Sequence, residues 1–90
     1  MDEYLPDYLN RHLTIEFPLF TGFGLHRNNQ EIIGIYRHEV YGPHLVYLTR
    51  EDMRAAREKG DYNEATLILA RDRVQNVMEF CDQAVLAGRG

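Results

Sequence analysis

Cysteine is nearly absent from this chain of 90 residues, in which Cys81 is the single one. An internal disulfide is therefore excluded, and so is a zinc site built from cysteine ligands. No apolar run approaches the ~20 residues of a transmembrane helix. The amino-terminal stretch MDEYLPDYLNRHL also lacks the basic start and apolar core of a secretory signal. We expect a cytoplasmic protein with no membrane partner.

Positive charge is also scarce, because ten basic residues stand against fourteen acidic ones and the net charge is −4. Nucleic-acid-binding domains usually have an isoelectric point above ~9, so this balance argues against that class. Arginines gather only on successive turns of one predicted helix, at Arg50, Arg54 and Arg57. We expect acidic neighbours in the sequence to neutralise them largely: Glu51, Asp52 and Glu58. No nucleic-acid partner is predicted.

The composition that remains is that of an ordinary globular protein, with 44% hydrophobic and 27% charged residues. No repeat, low-complexity tract or linker interrupts the chain, and its length suits one domain. We predict a single α+β domain over residues 1–90. A domain of this size buries a modest core, and dimerisation is an easy way to add buried area.

The first half of the sequence predicts a helix followed by strands. Apolar residues at helical spacing indicate a short helix over Asp2–His12, with Pro6 in its first turn. Alternation of apolar and polar residues over Leu13–His26 predicts a half-buried strand or two strands in line, with Pro18 at a sheet edge or at a bend. Turns and two further strands then complete an antiparallel meander: turn Arg27–Gln30, strand Glu31–Tyr41, turn Tyr41–Pro43 and strand His44–Thr49.

The end of the last strand carries a strong helix start signal. Thr49 and Asp52 have the spacing of a capping box, and Leu48 and Met53 have the spacing of a hydrophobic staple. Gly60 is a natural residue to end this short helix.

A longer helix is predicted from Asp61 to about Ala87. Apolar residues at spacings of three and four form its buried stripe: Leu67, Ala70, Val74, Val77, Met78, Cys81, Ala84 and Val85. Leu69 and Phe80 fall outside that stripe and indicate a second contact surface. The predicted fold is thus a short helix, a three-stranded antiparallel meander, and a short and a long helix packed on one sheet face.

The turns also predict a register. A two-residue turn at Asn28–Asn29 pairs residues of the first hairpin: Leu25 with Ile32, Phe23 with Gly34, and Thr21 with Tyr36. A three-residue turn pairs those of the second hairpin: Val40 with His44, His38 with Val46, and Tyr36 with Leu48. The Phe23 ring can then cover the gap left by Gly34. One sheet face forms the core: Phe23, Leu25, Ile32, Tyr36, Val40, Val46 and Leu48.

The opposite sheet face is unusually apolar for a solvated surface. Its residues are Gly22, Gly24, Ile33, Ile35, Arg37, Glu39, Leu45 and Tyr47. In the predicted register Arg37 lies across from Tyr47, where a cation–π contact can form. Two interpretations stay open: the amino-terminal helix packs on this face, or the face binds a partner or a second copy of the chain.

No group of residues predicts catalysis or a metal site. His38 and His44 lie diagonally on one face, but zinc needs two further ligands that the sequence does not supply. His26 and Glu31 fit a surface ion pair, since no nucleophile lies near them. Cys81 sits on the apolar helix stripe and is expected to be buried and inert. We predict no catalytic residue, no metal and no cofactor.

We therefore expect a non-enzymatic module that binds another protein and forms a homodimer, as small inhibitors and adaptors encoded by phages and plasmids do. The predicted binding residues lie on the second sheet face and on the outside of the long helix: Ile33, Ile35, Arg37, Leu45, Tyr47, Leu69 and Phe80. The alternative is a small-ligand binder or modest enzyme. Its pocket would lie between sheet and helices or at a dimer seam, lined by His38, His44 and tyrosines.

Overall fold

The computed structural model describes residues 3–26 and 31–88, so the turn predicted at Arg27–Gln30 lies outside the described residues. The elements follow in this order: α1 (Leu5–Glu16), β1 (Phe20–His26), β2 (Glu31–His38), β3 (Gly42–Leu48), α2 (Arg50–Glu58) and α3 (Tyr62–Gly88). The strands form one antiparallel sheet in the order β1-β2-β3. The predicted α+β architecture is confirmed.

The first helix is displaced from its predicted position, since α1 spans Leu5–Glu16 instead of Asp2–His12. Leu13 fits both the helical and the alternating pattern, because it lies four residues after Leu9 on the buried side of α1. Pro18 ends the helix rather than bending a strand. The residue before a proline is driven into an extended conformation, and here its φ is −123°.

The first hairpin has the predicted register where its strands are regular: Phe23 faces Gly34, and Leu25 faces Ile32. Closer to α1 the prediction is wrong, because a bulge between Phe20 and Phe23 places Phe20 instead of Thr21 opposite Tyr36. Gly22 lies in this bulge with a φ of 113°, which other residues rarely adopt.

The second hairpin differs from the predicted register, because His38 faces Gly42 and not Val46. The turn consists of residues 39–41, and Gly42 opens β3 with a φ of 77°. A left-handed residue after a short turn is a common way to close such a hairpin. The displacement is four residues, and an even displacement leaves every side chain on its predicted face. Val40 leaves the core, however, and is 65% exposed in the turn.

The core lies on a single face of the sheet, where α1 and α3 both pack. Its buried residues are Leu5, Leu9, Leu13, Phe17, Phe20, Phe23, Ile32, Tyr36, Val46, Leu48, Leu67, Ala70 and Val74. Leu25, predicted to belong to the core, is 52% exposed. The predicted cover over Gly34 is confirmed, because a Cβ atom at that position would lie 2.8 Å from the rings of Phe20 and Phe23.

The two carboxy-terminal helices begin where their capping residues predict, and α2 also ends where Gly60 predicts. Thr49 Oγ1 accepts from the Asp52 N–H at 3.1 Å, and Asp52 Oδ2 accepts from the Thr49 N–H at 2.9 Å, which completes the capping box. Gly60 follows α2 with a φ of 114°. Sequence reasoning missed one buried residue of α3, Thr66, whose hydroxyl donates to the Tyr62 carbonyl at 2.7 Å.

Candidate partner-binding surfaces

One face of the sheet carries no helix within the described part of the chain. Leu9 and Leu13 of α1 lie in the core on the other side, so the interpretation in which the amino-terminal helix covers this face is wrong. Side chains alternate along strands, so odd-numbered residues of β2 and β3 point away from the core. We call this surface the open face and define it by these residues: Glu31, Ile33, Ile35, Arg37, Leu45 and Tyr47.

The centre of the open face is apolar. Leu45 is 51% exposed and Tyr47 is 43% exposed, while Ile33 and Ile35 of the neighbouring strand are half-buried. Four large apolar side chains therefore adjoin one another on a surface that no element of the described chain covers. Contiguous exposed apolar residues of this kind are typical of interaction sites.

Arg37 and Tyr47 do not meet across the strands as predicted. The register places Arg37 opposite Pro43 and Tyr47 opposite Ile33, so the two side chains lie at opposite ends of the open face. The predicted cation–π contact between them is wrong for the same reason as the register of the second hairpin.

The open face has one charge at each end of β2. Glu31 and Arg37 are six residues apart, which is about 20 Å along a strand. The predicted pairing of Glu31 with His26 lies outside the described side chains, and among the side chains of residues 3–25 and 31–88 neither charge forms an ion pair. The surface thus has an apolar centre between an acidic end and a basic end.

The edges of the sheet are less available for binding than the open face. Asn10 of α1 covers the edge of β1, because its Nδ2 donates to the Phe23 carbonyl at 3.0 Å and its Oδ1 accepts from the Phe23 N–H at 2.6 Å. On β3, Pro43 has no N–H to donate, and Arg73 Nη1 donates to the Tyr47 carbonyl at 3.1 Å. Such features hinder the addition of another strand.

Leu69 and Phe80 on α3 do not form one patch. They are eleven residues apart, about 16 Å along a helix, and the polar Arg73 and Asn76 lie between them on that side. Leu69 packs partly against the core, whereas Phe80 is 71% exposed. Two exposed apolar residues that sequence reasoning missed lie on another side of α3: Ile68 and Leu86. Their spacing of 18 residues equals five helical turns and places both on the same side of the helix, which the sequence alone could have shown.

His38 holds the second turn together instead of converging with His44. Its Nδ1 accepts from the N–H groups of Val40 and Tyr41 at 3.2 and 3.3 Å, so the ring proton belongs on Nε2, which donates to Asp82 Oδ1 at 3.0 Å. The recess beside Asp82 is not lined by His44, whose Nε2 is buried without a hydrogen-bond partner in the described structure.

Cys81 is buried, as predicted. Burial raises the pKa of its thiol, and the neighbouring Asp82 carboxylate raises it further, so the thiol stays protonated at neutral pH. Across the described ranges, no three His, Cys, Asp or Glu side chains come together as metal ligands would.

None of the helices in the described ranges combines the length and the apolarity needed to span a bilayer. In comparisons with known proteins, no family model, no curated protein and no solved structure matches this chain.

Proposed function

We propose that this protein is a non-enzymatic, protein-binding module of the inhibitor or adaptor type, that the open face binds a second copy of the chain, and that α3 is left for another protein. The observation that carries the proposal is the uncovered apolar centre formed by Ile33, Ile35, Leu45 and Tyr47. Burial of such a surface removes apolar area from water and stabilises association.

The charges of the open face favour a second copy as the occupant. Glu31 and Arg37 lie three residues on either side of Gly34 on β2. In a homodimer with a two-fold axis between the stacked sheets, crossing β2 at the level of Gly34, each Arg37 approaches Glu31 of the other copy. The same contact is then made twice, as a two-fold interface requires. Stacked sheets commonly keep their strands within about 30° of each other, which is compatible with this contact.

Exposed Phe80 on α3 supports the second binding surface, since a large aromatic side chain is a common anchor of protein interfaces. Phe80 lies on a helix, away from the open face of the sheet. A homodimer therefore leaves it accessible to a different protein.

Charge reversal tests the proposed homodimer. We expect Arg37→Glu and Glu31→Arg each to weaken self-association tenfold or more, and the double variant to restore it, because each reversal places like charges together and the double reversal pairs them again. Analytical ultracentrifugation over a concentration series measures the mass. A wild type that stays monomeric at millimolar concentration, or a double variant no stronger than either single one, overturns the homodimer.

A matched pair of lysine substitutions tests whether the apolar centre is the binding surface. Leu45→Lys places a charge on the open face, whereas Ile15→Lys places the same charge on the exposed side of α1. We expect Leu45→Lys to shift the mass to that of a monomer and Ile15→Lys to leave the wild-type mass. Equal effects of the two substitutions would show that net charge, and not the open face, controls association.

A further inference from the structure

A cleft in the described part of the chain lies away from the open face and from both His38 and His44. It has a volume of about 380 Å³ and opens between the start of α1, Leu25 near the end of β1, Ile32 near the start of β2, α2 and the start of α3. Clefts of ~300–1,000 Å³ are typical of small-molecule sites. Leu25, Ile32 and Met53 supply its apolar walls, and Tyr4 and Tyr62 stand beside them.

Three arginines of α2 also line this cleft. Arg50, Arg54 and Arg57 occupy one side of the helix, because residues at spacings of four and three lie one above another. Arg57 stacks over the Tyr62 ring, with 4.8 Å from its Cζ to the ring centroid. In the part of the chain that the structure describes, none of the three forms an ion pair.

The acidic neighbours in the sequence form no ion pair with these arginines within the described residues. Asp52 turns to α3, where its two carboxylate oxygens accept from Arg73 Nη1 and Nη2 at 3.0 Å, and it also closes the Thr49 capping box. Glu51 and Glu58 are exposed and do not line the cleft. A protein with an overall negative charge therefore has one cleft in which every charged side chain of the described lining is a guanidinium.

We infer that this cleft binds an organic anion in which a carboxylate or phosphate is attached to an apolar or aromatic group. Guanidinium groups bind both anions through paired N–H donors. The apolar walls around Leu25 and Met53 and the rings of Tyr4 and Tyr62 receive the uncharged part of the ligand. Bringing an anion between the three arginines also relieves their mutual repulsion. The inference is independent of the homodimer.

Methionine methyl signals provide a direct test on the full chain. Met53 lines the cleft, whereas Met78 lies on α3 outside it and serves as the internal reference. Protein labelled with ¹³C at the methionine methyl groups is titrated with phenyl phosphate, phenylacetate and the uncharged benzyl alcohol. We expect saturable shifts of the Met53 signal with at least one anion, an affinity for benzyl alcohol at least tenfold weaker, and no shift of Met78. The two anions show whether the cleft prefers phosphate or carboxylate.

Substitution of the arginines tests whether they are responsible for the affinity of the cleft for anions. Arg50→Gln combined with Arg54→Gln should weaken binding of the preferred anion tenfold or more, whereas the Arg71→Gln control, on α3 and outside the cleft, should leave it unchanged. Three results overturn the inference: equal affinity for benzyl alcohol and the anions, no Met53 shift with either anion at tens of millimolar, or the same loss in the Arg71 control. The first two are read on the wild-type protein and do not depend on any variant.

Discussion

The two faces of the sheet carry similar side chains but have different neighbours. On β3, Leu48 is fully buried beneath the helices, whereas Leu45, three residues earlier, is 51% exposed on the open face. On β2, Ile32 is buried and Ile33 is only half-buried. Apolar composition alone therefore does not determine which face becomes the core. The core forms on the face against which α1 and α3 both pack.

The position of α1 explains why the open face stays uncovered. Leu5, Leu9 and Leu13 form one buried side of the helix, and Asn10 fixes it to the bulged part of β1 through both backbone groups of Phe23. With α1 held there, no other described element is left for the opposite face. The apolar side chains of that face contribute little to the packing of the monomer, and they are free to contribute to binding.

The largest contrast between a buried and an exposed position is expected for Val74→Asp and Val40→Asp. Val74 is fully buried in α3, so the variant buries an unpaired carboxylate. We expect this penalty to unfold the protein, because the total stability of a small domain is only ~5–15 kcal/mol. Val40 is exposed in a turn and tolerates the same change. Circular dichroism should show an unfolded Val74→Asp protein and a folded Val40→Asp protein. A folded Val74→Asp protein would contradict the position of the α3 stripe.

Two leucines of β3 compare the sheet faces directly. Leu48→Ala removes a fully buried side chain and should lower the free energy of unfolding by about 2–5 kcal/mol. Leu45→Ala changes an exposed site and should lower it by less than about 1 kcal/mol. Urea unfolding measures both, at dilute protein so that self-association does not contribute. A large loss for Leu45→Ala would mean that the open face is packed against part of the chain.

Two glycines sharpen the comparison further. Gly34→Ala places a Cβ atom 2.8 Å from the Phe20 and Phe23 rings and should cost about 1–3 kcal/mol of unfolding free energy through overpacking. Gly24→Ala meets nothing within 4 Å and should change stability by no more than about 0.5 kcal/mol. Thermal unfolding of both variants provides the measurement. Equal losses would show that ring contact is not the cause of the cost, because strand propensity itself favours alanine over glycine.

Local signals in the sequence predicted the order of the elements and the face of the residues in β2 and β3. The capping box at Thr49 and the glycine at Gly60 mark helix ends through short-range backbone geometry, which neighbouring residues determine. The register of the second hairpin was wrong because the positive φ of Gly42 suits either the turn or the first strand residue. Ile15 misled the alternation pattern, since it is an apolar residue on the exposed side of α1.

The candidate sites were predicted less completely, because they depend on contacts between distant residues. The sequence could identify Ile33, Ile35, Leu45 and Tyr47 as one face, but not that α1 packs elsewhere. The arginine cleft was missed because Asp52 pairs with a residue 21 positions away instead of its neighbours in α2. Pairing by proximity in sequence was the wrong assumption there.

The smallest expected effect concerns the ion pair between Asp52 of α2 and Arg73 of α3. Burial alone would raise the pKa of Asp52, but hydrogen bonds from Arg73 and Thr49 outweigh it and lower the pKa below its ordinary value. The charged carboxylate is thus favoured in the folded protein. Its contribution to stability is present above the ordinary aspartate pKa of about 3.9 and is lost as the pH falls through the lowered value.

Asp52→Asn removes the charge and keeps the size of the side chain. We expect the variant to be less stable than the wild type by about 1 kcal/mol at pH 7, typical of a lost helix cap or charged hydrogen bond, and the difference to shrink as the pH falls below about 4. Asp61→Asn is the matched control, because Asp61 Oδ1 accepts from the Glu64 N–H at the start of α3 and asparagine caps helices equally well. Urea unfolding of both variants and the wild type between pH 8 and pH 3 measures the difference in unfolding free energy. If the loss of unfolding free energy in Asp52→Asn does not depend on pH, it comes from capping geometry. The charge of Arg73 would then not stabilise the contact between α2 and α3.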